Sequence, residues 1–526
     1  MASPLRGTRA RQGRAMTACA GLALALSGCA GHWAYTPPAA PVPAGFTARS
    51  ETSLDGRSKV SPLTPDQTSA DRALAYAGTP EPAAEQPQQL VAGLPTSERW
   101  WTGFHNASLD QLVDEAMLRH PTVAAAEATL RQAQADLEAN RASYLDPQVT
   151  GQLGASRQQS NSASSGFNFP AVGAYNLFNT SVNVSYHPDL FGGIRDALDG
   201  LGAQVDVQRY QLEAARLSLA GNIVAAALRE GGLRSQRRAT LAVMQAQQSL
   251  LDLAQARLQL GSASRSDVLN AESALRATTA SLPAQDKALA LARDQLAAYV
   301  GRPDGVQALP SFELESFQLP AELPLSVPGE LARQRPDLRA ADASLRAANA
   351  AVGVADTNLY PSLTLSGSYG AASNQLPELL RSQSVLWSLG TGLTAPLFDG
   401  GALRARKRSA EAAYQQIVAQ YRNTLLVALQ SVDDVLAALQ HDALALDTQR
   451  AALASARAAE ELSAAQLKLG SVSRQQVLVA TVSRLQAEVP LGVQRATRLA
   501  DTAALYQALG GGWSTPSSLP GSGTHP

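Results

Sequence analysis

The stretch RLQLGSASRSDVL, Arg257–Leu269, returns later in the chain as QLKLGSVSRQQVL, Gln466–Leu478. Gly261 and Gly470 mark the same point in each. Both follow an apolar run, where a helix C′ glycine belongs. Ser264 and Ser473 stand just before the next apolar run, where an N-cap belongs. A glycine stop followed by a serine start predicts a tight turn between antiparallel helices. Met244, Leu251 and Leu258 lie at heptad spacing, as do Leu439, Leu446, Leu453 and, past Glu460, Leu467. Such spacing predicts a coiled-coil seam, although an ordinary helical bundle gives the same pattern. No proline interrupts the chain between Pro188 and Pro283, or between Pro396 and Pro490. The first helix of each hairpin therefore runs to roughly 60 to 70 residues, or about 100 Å at 1.5 Å per residue. Pro283 and Pro490 fall in the return helices, where they predict kinks.

Ahead of each helical hairpin the period changes from helical to two. Gln148, Thr150, Gln152, Gly154 and Ser156 alternate with Val149, Gly151, Leu153 and Ala155. Asn179, Ser181, Asn183 and Ser185 alternate with Thr180, Val182, Val184 and Tyr186. In the second half, Ser362, Thr364, Ser366 and Ser368 alternate with Leu363, Leu365, Gly367 and Tyr369, and Ser388, Gly390, Gly392 and Thr394 with Trp387, Leu389, Thr391 and Leu393. These are strands with one apolar face and one polar, almost uncharged face. Polar loops around Ser160–Ser165 and Ser368–Ser384 join each pair. Alternation over such lengths is the mark of a membrane barrel, although a soluble sandwich produces it too. Four strands cannot close a barrel, and open edges cannot face lipid. If these strands span a membrane, several copies must pool them.

The rest of the composition narrows the function. The chain has 526 residues and a formal net charge of −1, which argues against a nucleic-acid partner. Its six histidines are scattered, without metal-ligand spacing. No nucleophile elbow, GxGxxG fingerprint or paired carboxylates in a pocket context are present. The reading is of a protein that is not an enzyme, with no cofactor and no metal.

Arg6, Arg9, Arg11 and Arg14 precede an apolar run from Ala15 to Leu26, which is too short to span a bilayer and reads as a secretory signal. It ends in Leu26-Ser27-Gly28-Cys29, a tetrapeptide resembling a bacterial lipobox with Cys29 as the acylated residue. An accidental cysteine near a cleavage site is the rival reading. Cys19 lies inside the signal, so the mature chain keeps one cysteine and no disulfide. The Pro-, Ala- and Ser-rich stretch that follows reads as an extended tether. The expected organisation is a signal peptide at 1–28, a lipid-anchored tether at 29–95, two repeats at 96–310 and 311–515, each a strand hairpin plus a helical hairpin, and a tail at 516–526.

Several further stretches resemble the outer membrane efflux protein family of the TolC type, in its lipoprotein branch. They are Trp100-Trp101-Thr102-Gly103-Phe104 with Leu109 and Leu112; Arg335-Pro336-Asp337-Leu338-Arg339-Ala340-Ala341; Leu359-Tyr360-Pro361; Pro396-Leu397-Phe398-Asp399-Gly400-Gly401, with Asp189-Leu190-Phe191-Gly192 as its first-half counterpart; and Ala504-Leu505-Tyr506-Gln507-Ala508-Leu509-Gly510-Gly511-Gly512-Trp513. The resemblance implies an α+β chain with an internal two-fold repeat. It implies a homotrimer whose pooled strands, four per subunit, form one barrel in the outer membrane lipid, joined to a periplasmic α-helical coiled-coil barrel.

The resemblance also implies that the repeated motif is the hairpin tip that meets a periplasmic membrane-fusion adaptor, itself attached to an inner-membrane RND-type pump. The tip residues are then Gly261, Ser262, Ser264, Arg265, Asp267, Gly470, Ser471, Ser473 and Arg474. Many family members carry an acidic gate residue nine positions after the second tip glycine. Here that position is Val479 and its first-half counterpart is Asn270, with Asp267 and Glu272 the nearby carboxylates. The implied function is a passive conduit for small-molecule efflux. The alternatives are a channel for ABC-driven type I peptide or protein secretion, and a lipid-anchored periplasmic scaffold that does not span the membrane.

Overall fold

The structure, a computed structural model, describes residues 88–159, 173–302, 305, 309–325, 331 and 334–513. The signal peptide, Cys29, nearly all of the tether, the loop around 160–165 and the tail lie outside the described residues. The order of a strand hairpin, a very long helix and a shorter return helix occurs twice. In the first half these elements are β2 (Gln148–Gln158), β3 (Tyr175–Tyr186), α3 (Gly193–Gln259) and α4 (Arg265–Val300). In the second they are β5 (Ser362–Ser373), β6 (Val385–Thr394), α6 (Ala402–Lys468) and α7 (Arg474–Ala508). The helices α2 (Pro121–Leu145) and α5 (Pro336–Thr357) lead into the two hairpins, and α1 (Ala107–Arg119) precedes α2. Both long helices have 67 residues. Each starts at an aspartate that takes up otherwise unpartnered helical N–H groups. Asp189 Oδ2 accepts from the Arg195 N–H at 2.9 Å, and Asp399 accepts from Gly401 and Leu403 at 2.9 and 2.6 Å.

Compactness does not follow the repeat boundary. The chain divides into one unit holding residues 129–209 and 340–421, and another holding 88–128, 210–339 and 422–513. The reason is strand pairing between the halves. The first unit contains a single antiparallel sheet of order β2-β3-β5-β6, in which β3 joins β5. In its register Val149 pairs with Val184, Val182 with Tyr369, and Tyr369 with Trp387. All apolar members of the four alternations therefore share one face, and the polar members share the other.

The second unit contains a row of helices. Arg237 on α3 meets Asp286 on α4 at 2.6 Å. Val243 and Ala246 of α3 pack with Val482 and Leu485 of α7, and Leu491 of α7 packs with Leu446 and Leu453 of α6. The order is α4-α3-α7-α6. The heptad leucines Leu439, Leu446 and Leu453 are buried as the spacing predicts, while Leu467 near the turn is exposed. Pro283 and Pro490 sit inside continuous helices. No helix of the described residues is long and apolar enough to cross a membrane.

The fold also begins earlier than the expected tether boundary at residue 95. β1 (Gln89–Ala92) pairs in parallel with β4 (Glu322–Leu325). The preceding Gln88 is fully buried and donates to the Pro320 carbonyl at 3.1 Å and to Thr502 Oγ1 at 3.2 Å, while accepting from Arg498 Nε at 3.1 Å.

Three of the stretches that carry the family resemblance, around Trp100, Arg335 and Tyr506, meet in this unit as packing elements. Trp100 stacks on Tyr506 with ring centroids 5.4 Å apart. Arg335 forks onto Asp337 at 2.7 and 3.0 Å and donates to the Ala508 carbonyl at 2.7 Å, closing the end of α7. Gly510, Gly511 and Gly512 all have positive φ, and a Cβ on Gly512 would stand 2.1 Å from the Thr96 carbonyl oxygen. Phe104 has no exposed surface. Phe104→Ala is expected to lower the stability of this unit by about 3–5 kcal/mol, the usual cost of emptying an aromatic site, measured by denaturant titration of the purified protein.

Candidate functional site: the hairpin tips and an exposed apolar sheet face

The two repeated stretches fold identically at the backbone. Gly261 and Gly470 have φ of 70° and 74°. The Ser262 N–H reaches back to the Arg257 carbonyl at 2.8 Å and the Gly261 N–H to Leu258 at 3.0 Å. Ser471 and Gly470 do the same to Gln466 and Leu467, both at 3.0 Å. This is the Schellman pattern, which satisfies the last carbonyls of a helix and requires a left-handed residue. The hydroxyls of Ser262 and Ser471 add bonds to the same carbonyls, Arg257 and Gln466. Ser264 caps α4, accepting from the Asp267 N–H at 3.2 Å, and Ser473 caps α7, accepting from Gln476 at 3.3 Å. At the first tip Asp267 answers through a bond from the Ser264 N–H at 2.8 Å, completing a capping box. That backbone bond, with the Ser264 hydroxyl second, holds the Asp267 carboxyl below the usual range.

The structure brings the two tips together. Arg257, at the end of α3, hydrogen-bonds Gln475 at the start of α7. Arg265 and Arg474 are exposed beside their caps. Sequence reasoning missed one feature: Leu260 and Leu469, immediately before the glycines, are 82% and 84% exposed. Each tip therefore offers an apolar knob next to an arginine. The signal was in the repeated LG dipeptide, read only as a helix stop.

The charges near the expected gate level are locally engaged. Asp267 is held in its cap, and Glu272 pairs with Arg276 at 3.4 Å. On the second hairpin Arg484 bridges Glu460 and Glu488, both at 2.5 Å. Val479 and Asn270 are exposed.

A carboxyl pair lies elsewhere between α6 and α7. Asp442 is buried, and Oδ1 accepts from Gln494 at 2.9 Å. Its Oδ2 is also buried and receives no N–H or hydroxyl, and Asp501 faces it. Two carboxyls meet in this way when one keeps its proton. Burial, then the contact with Asp442, raises Asp501 to about 7.

In the other unit, the apolar sheet face is uncovered. Leu389 is 83% exposed and Trp387 73%, with Val149, Leu153, Val182, Leu365 and Tyr369 beside them on the same face. A contiguous exposed apolar face of this kind marks an interaction or membrane surface.

Comparison with known proteins gives a consistent picture. The family described as "Outer membrane efflux protein" matches residues 112–302 and 327–511. The pyoverdine export outer membrane protein OpmQ of Pseudomonas putida is 31% identical over 445 residues, covering 84% of this chain and 93% of OpmQ. Outer membrane protein OprJ of Pseudomonas aeruginosa is 30% identical over 439 residues, covering 80% and 87%. Among solved structures, the outer-membrane channel OprN superposes with a TM-score of 0.74 at 27% identity, covering 86% of this chain and 99% of that one. The outer membrane protein VceC of Vibrio cholerae gives 0.72 at 26%, covering 80% and 100%.

Two outcomes follow from the local chemistry. A Cβ at Gly261 or Gly470 meets open space, so alanine there is opposed by the left-handed backbone alone, about 1–2 kcal/mol. Gly261→Ala and Gly470→Ala are each expected to lower stability by about that amount, with hydrogen exchange speeding first at the substituted tip. Asp501 binds its proton more tightly folded than unfolded, because its folded value of about 7 exceeds the ordinary 3.8. Its contribution to stability is therefore full at acid pH and is lost as pH rises through about 7. Asp501→Asn is expected to flatten that slope in unfolding titrations between about pH 4 and 7.

Proposed function

The chain belongs to the outer membrane efflux protein family, and on that footing we propose that it is the outer membrane channel of a tripartite efflux system. In this reading it is a passive conduit that carries small molecules out from an inner-membrane RND-type pump. Three copies pool their β2-β3-β5-β6 sheets into one twelve-stranded barrel, and Cys29 carries the lipid. The observation that carries the proposal is the sheet, with its apolar face bare and both outer edges, β2 and β6, free of a strand partner within the described residues. Lipid suits the face, and a closed ring of strands removes the edges. The α4-α3-α7-α6 row likewise ends on two outer helices that a neighbouring copy would cover.

The tips are the proposed contacts for a periplasmic adaptor. Exposed turn residues on a rigid scaffold are where recognition concentrates. Leu260 with Arg265 and Leu469 with Arg474 give each tip an apolar anchor and a charge. Adaptor binding opens the conduit only to the extent that it favours the open arrangement over the closed one. OpmQ is named for exporting pyoverdine, which fits a small-molecule cargo for the proposed channel.

Photo-crosslinking in cells from Ser264 and Ser473, with the captured partner identified by mass spectrometry, tests the proposal. A periplasmic adaptor of an RND pump is the expected capture at both tips. An adaptor from an ABC exporter would redirect the reading to peptide or protein secretion. No capture from either site, in protein recovered from the outer membrane, would remove the tips from the docking surface.

A further inference from the structure

Within one chain, the helix that follows β3 packs on the helix that precedes β5, because β3 and β5 are neighbours in the sheet. The contacts are close. Thr357 Oγ1 lies 2.6 Å from where a Cβ on Gly193 would stand, Ala350 Cβ lies 3.3 Å from that position on Gly200, and Asp206 binds Arg346 at 3.1 Å. At the corner beyond them Phe191 stacks on Tyr360, with ring centroids 5.1 Å apart. The equivalent elements of the other pair are the helix after β6 and the helix before β2, and they show bare surface. Leu397 and Phe398, at the corner after β6, are 96% and 94% exposed. Apart from Val123 at its start, α2 buries nothing in the chain.

The repeat gives the correspondence between the two pairs. Gly192-Gly193 corresponds to Gly400-Gly401, and Ser362 at the start of β5 corresponds to Gln148 at the start of β2. Thr357, Ala350 and Arg346 then map onto Ser143, Asp136 and Gln132, and Gly193, Gly200 and Asp206 onto Gly401, Arg408 and Tyr414. On α2, Gln132, Asp136 and Ser143 are all exposed, and Arg408 is exposed at the start of α6. The pairing sets an acid against a base where the first half has only Gly200 against Ala350.

We propose that this stripe of α2 and the start of α6 form a single seam between two copies of the chain, with Asp136 of one copy paired to Arg408 of the next and the Leu397–Phe398 corner covering Tyr144–Leu145. The inference rests on the ring closure proposed above, and adds the residues that set its register. Arg404, one turn before Arg408, adds a second base to the same stripe. A lipid contact at Phe398 would need no partner for Asp136.

The test uses full-length protein in the outer membrane. Cysteines at Asp136 and Arg408, joined by a short bis-maleimide, are expected to give covalent dimers and trimers. Asp136→Arg is expected to shorten the half-life of the SDS-resistant trimer on the order of tenfold, since like charges then face each other. The exchange D136R/R408D is expected to restore it. A wild-type trimer with no crosslink between copies, or an exchange that fails to restore what Asp136→Arg lost, overturns the seam and leaves the channel reading standing. A wild-type protein that is monomeric in the membrane overturns both.

Discussion

Everything in this molecule turns on the hydrogen bonds that a four-stranded sheet cannot make with itself. Inside the sheet each strand finds partners, and the β3–β5 pairing welds two hairpins from distant parts of the sequence into one surface. The outer edges of β2 and β6 have no such partner within the described residues, and the proposed function puts the apolar face beside them in hydrocarbon. In water those edge N–H and C=O groups could be hydrated. Beside lipid they cannot, at several kcal/mol for each group left alone. The cost recurs at every second residue of two long edges, so it outweighs the entropy of assembling several chains. The proposed oligomer follows from that imbalance, and the outer helices α4 and α6 then find neighbours by the same closure.

Much of this was legible in the sequence because the signals were periodic. The two-residue alternation located all four strands of the larger sheet and sorted their residues by face. The Gly-to-Ser interval located both tips, because a Schellman stop and a serine cap are short-range chemistry. The small parallel sheet of β1 and β4 was not legible. Its strands have four residues each, too few for a period, and they lie far apart in the sequence. The tether boundary was set too late for that reason. The division into units also departs from the repeat, since alternation says which face a strand shows but not which strand it joins. Asp442 and Asp501 were invisible for a different reason. A carboxyl on a heptad-patterned helix reads as solvated, and only the antiparallel fit of α6 on α7 brings the two together.

The stretches that mark the family behave as structural punctuation. Trp100 and Phe104 fill a core closed by Tyr506, Arg335 ties off the end of α7, and the Gly510–Gly512 run passes backbone so close that side chains would collide. None of these residues belongs to a tip or to the sheet face. The resemblance therefore identifies a scaffold, and under the proposed function partner choice falls to the few exposed residues around Gly261 and Gly470.

The two tips are copies in backbone but not in charge, and the difference bears on how a partner would meet them. The first reads Arg265-Ser266-Asp267, and its carboxylate is spent in a capping box against Ser264. The second reads Arg474-Gln475-Gln476, with no carboxylate, and its Gln475 takes the bond from Arg257. Over the two repeated stretches the first tip thus carries Arg257, Arg265 and Asp267, the second Lys468 and Arg474 without an acid. Under the proposed assembly these alternate around the ring. A partner touching every tip would therefore meet the same shape at each and two electrostatic settings in turn. Shape alone would then fix where it docks, while charge would distinguish one set of sites from the other. Screening weakens that distinction at high ionic strength and leaves the apolar knobs of Leu260 and Leu469 untouched.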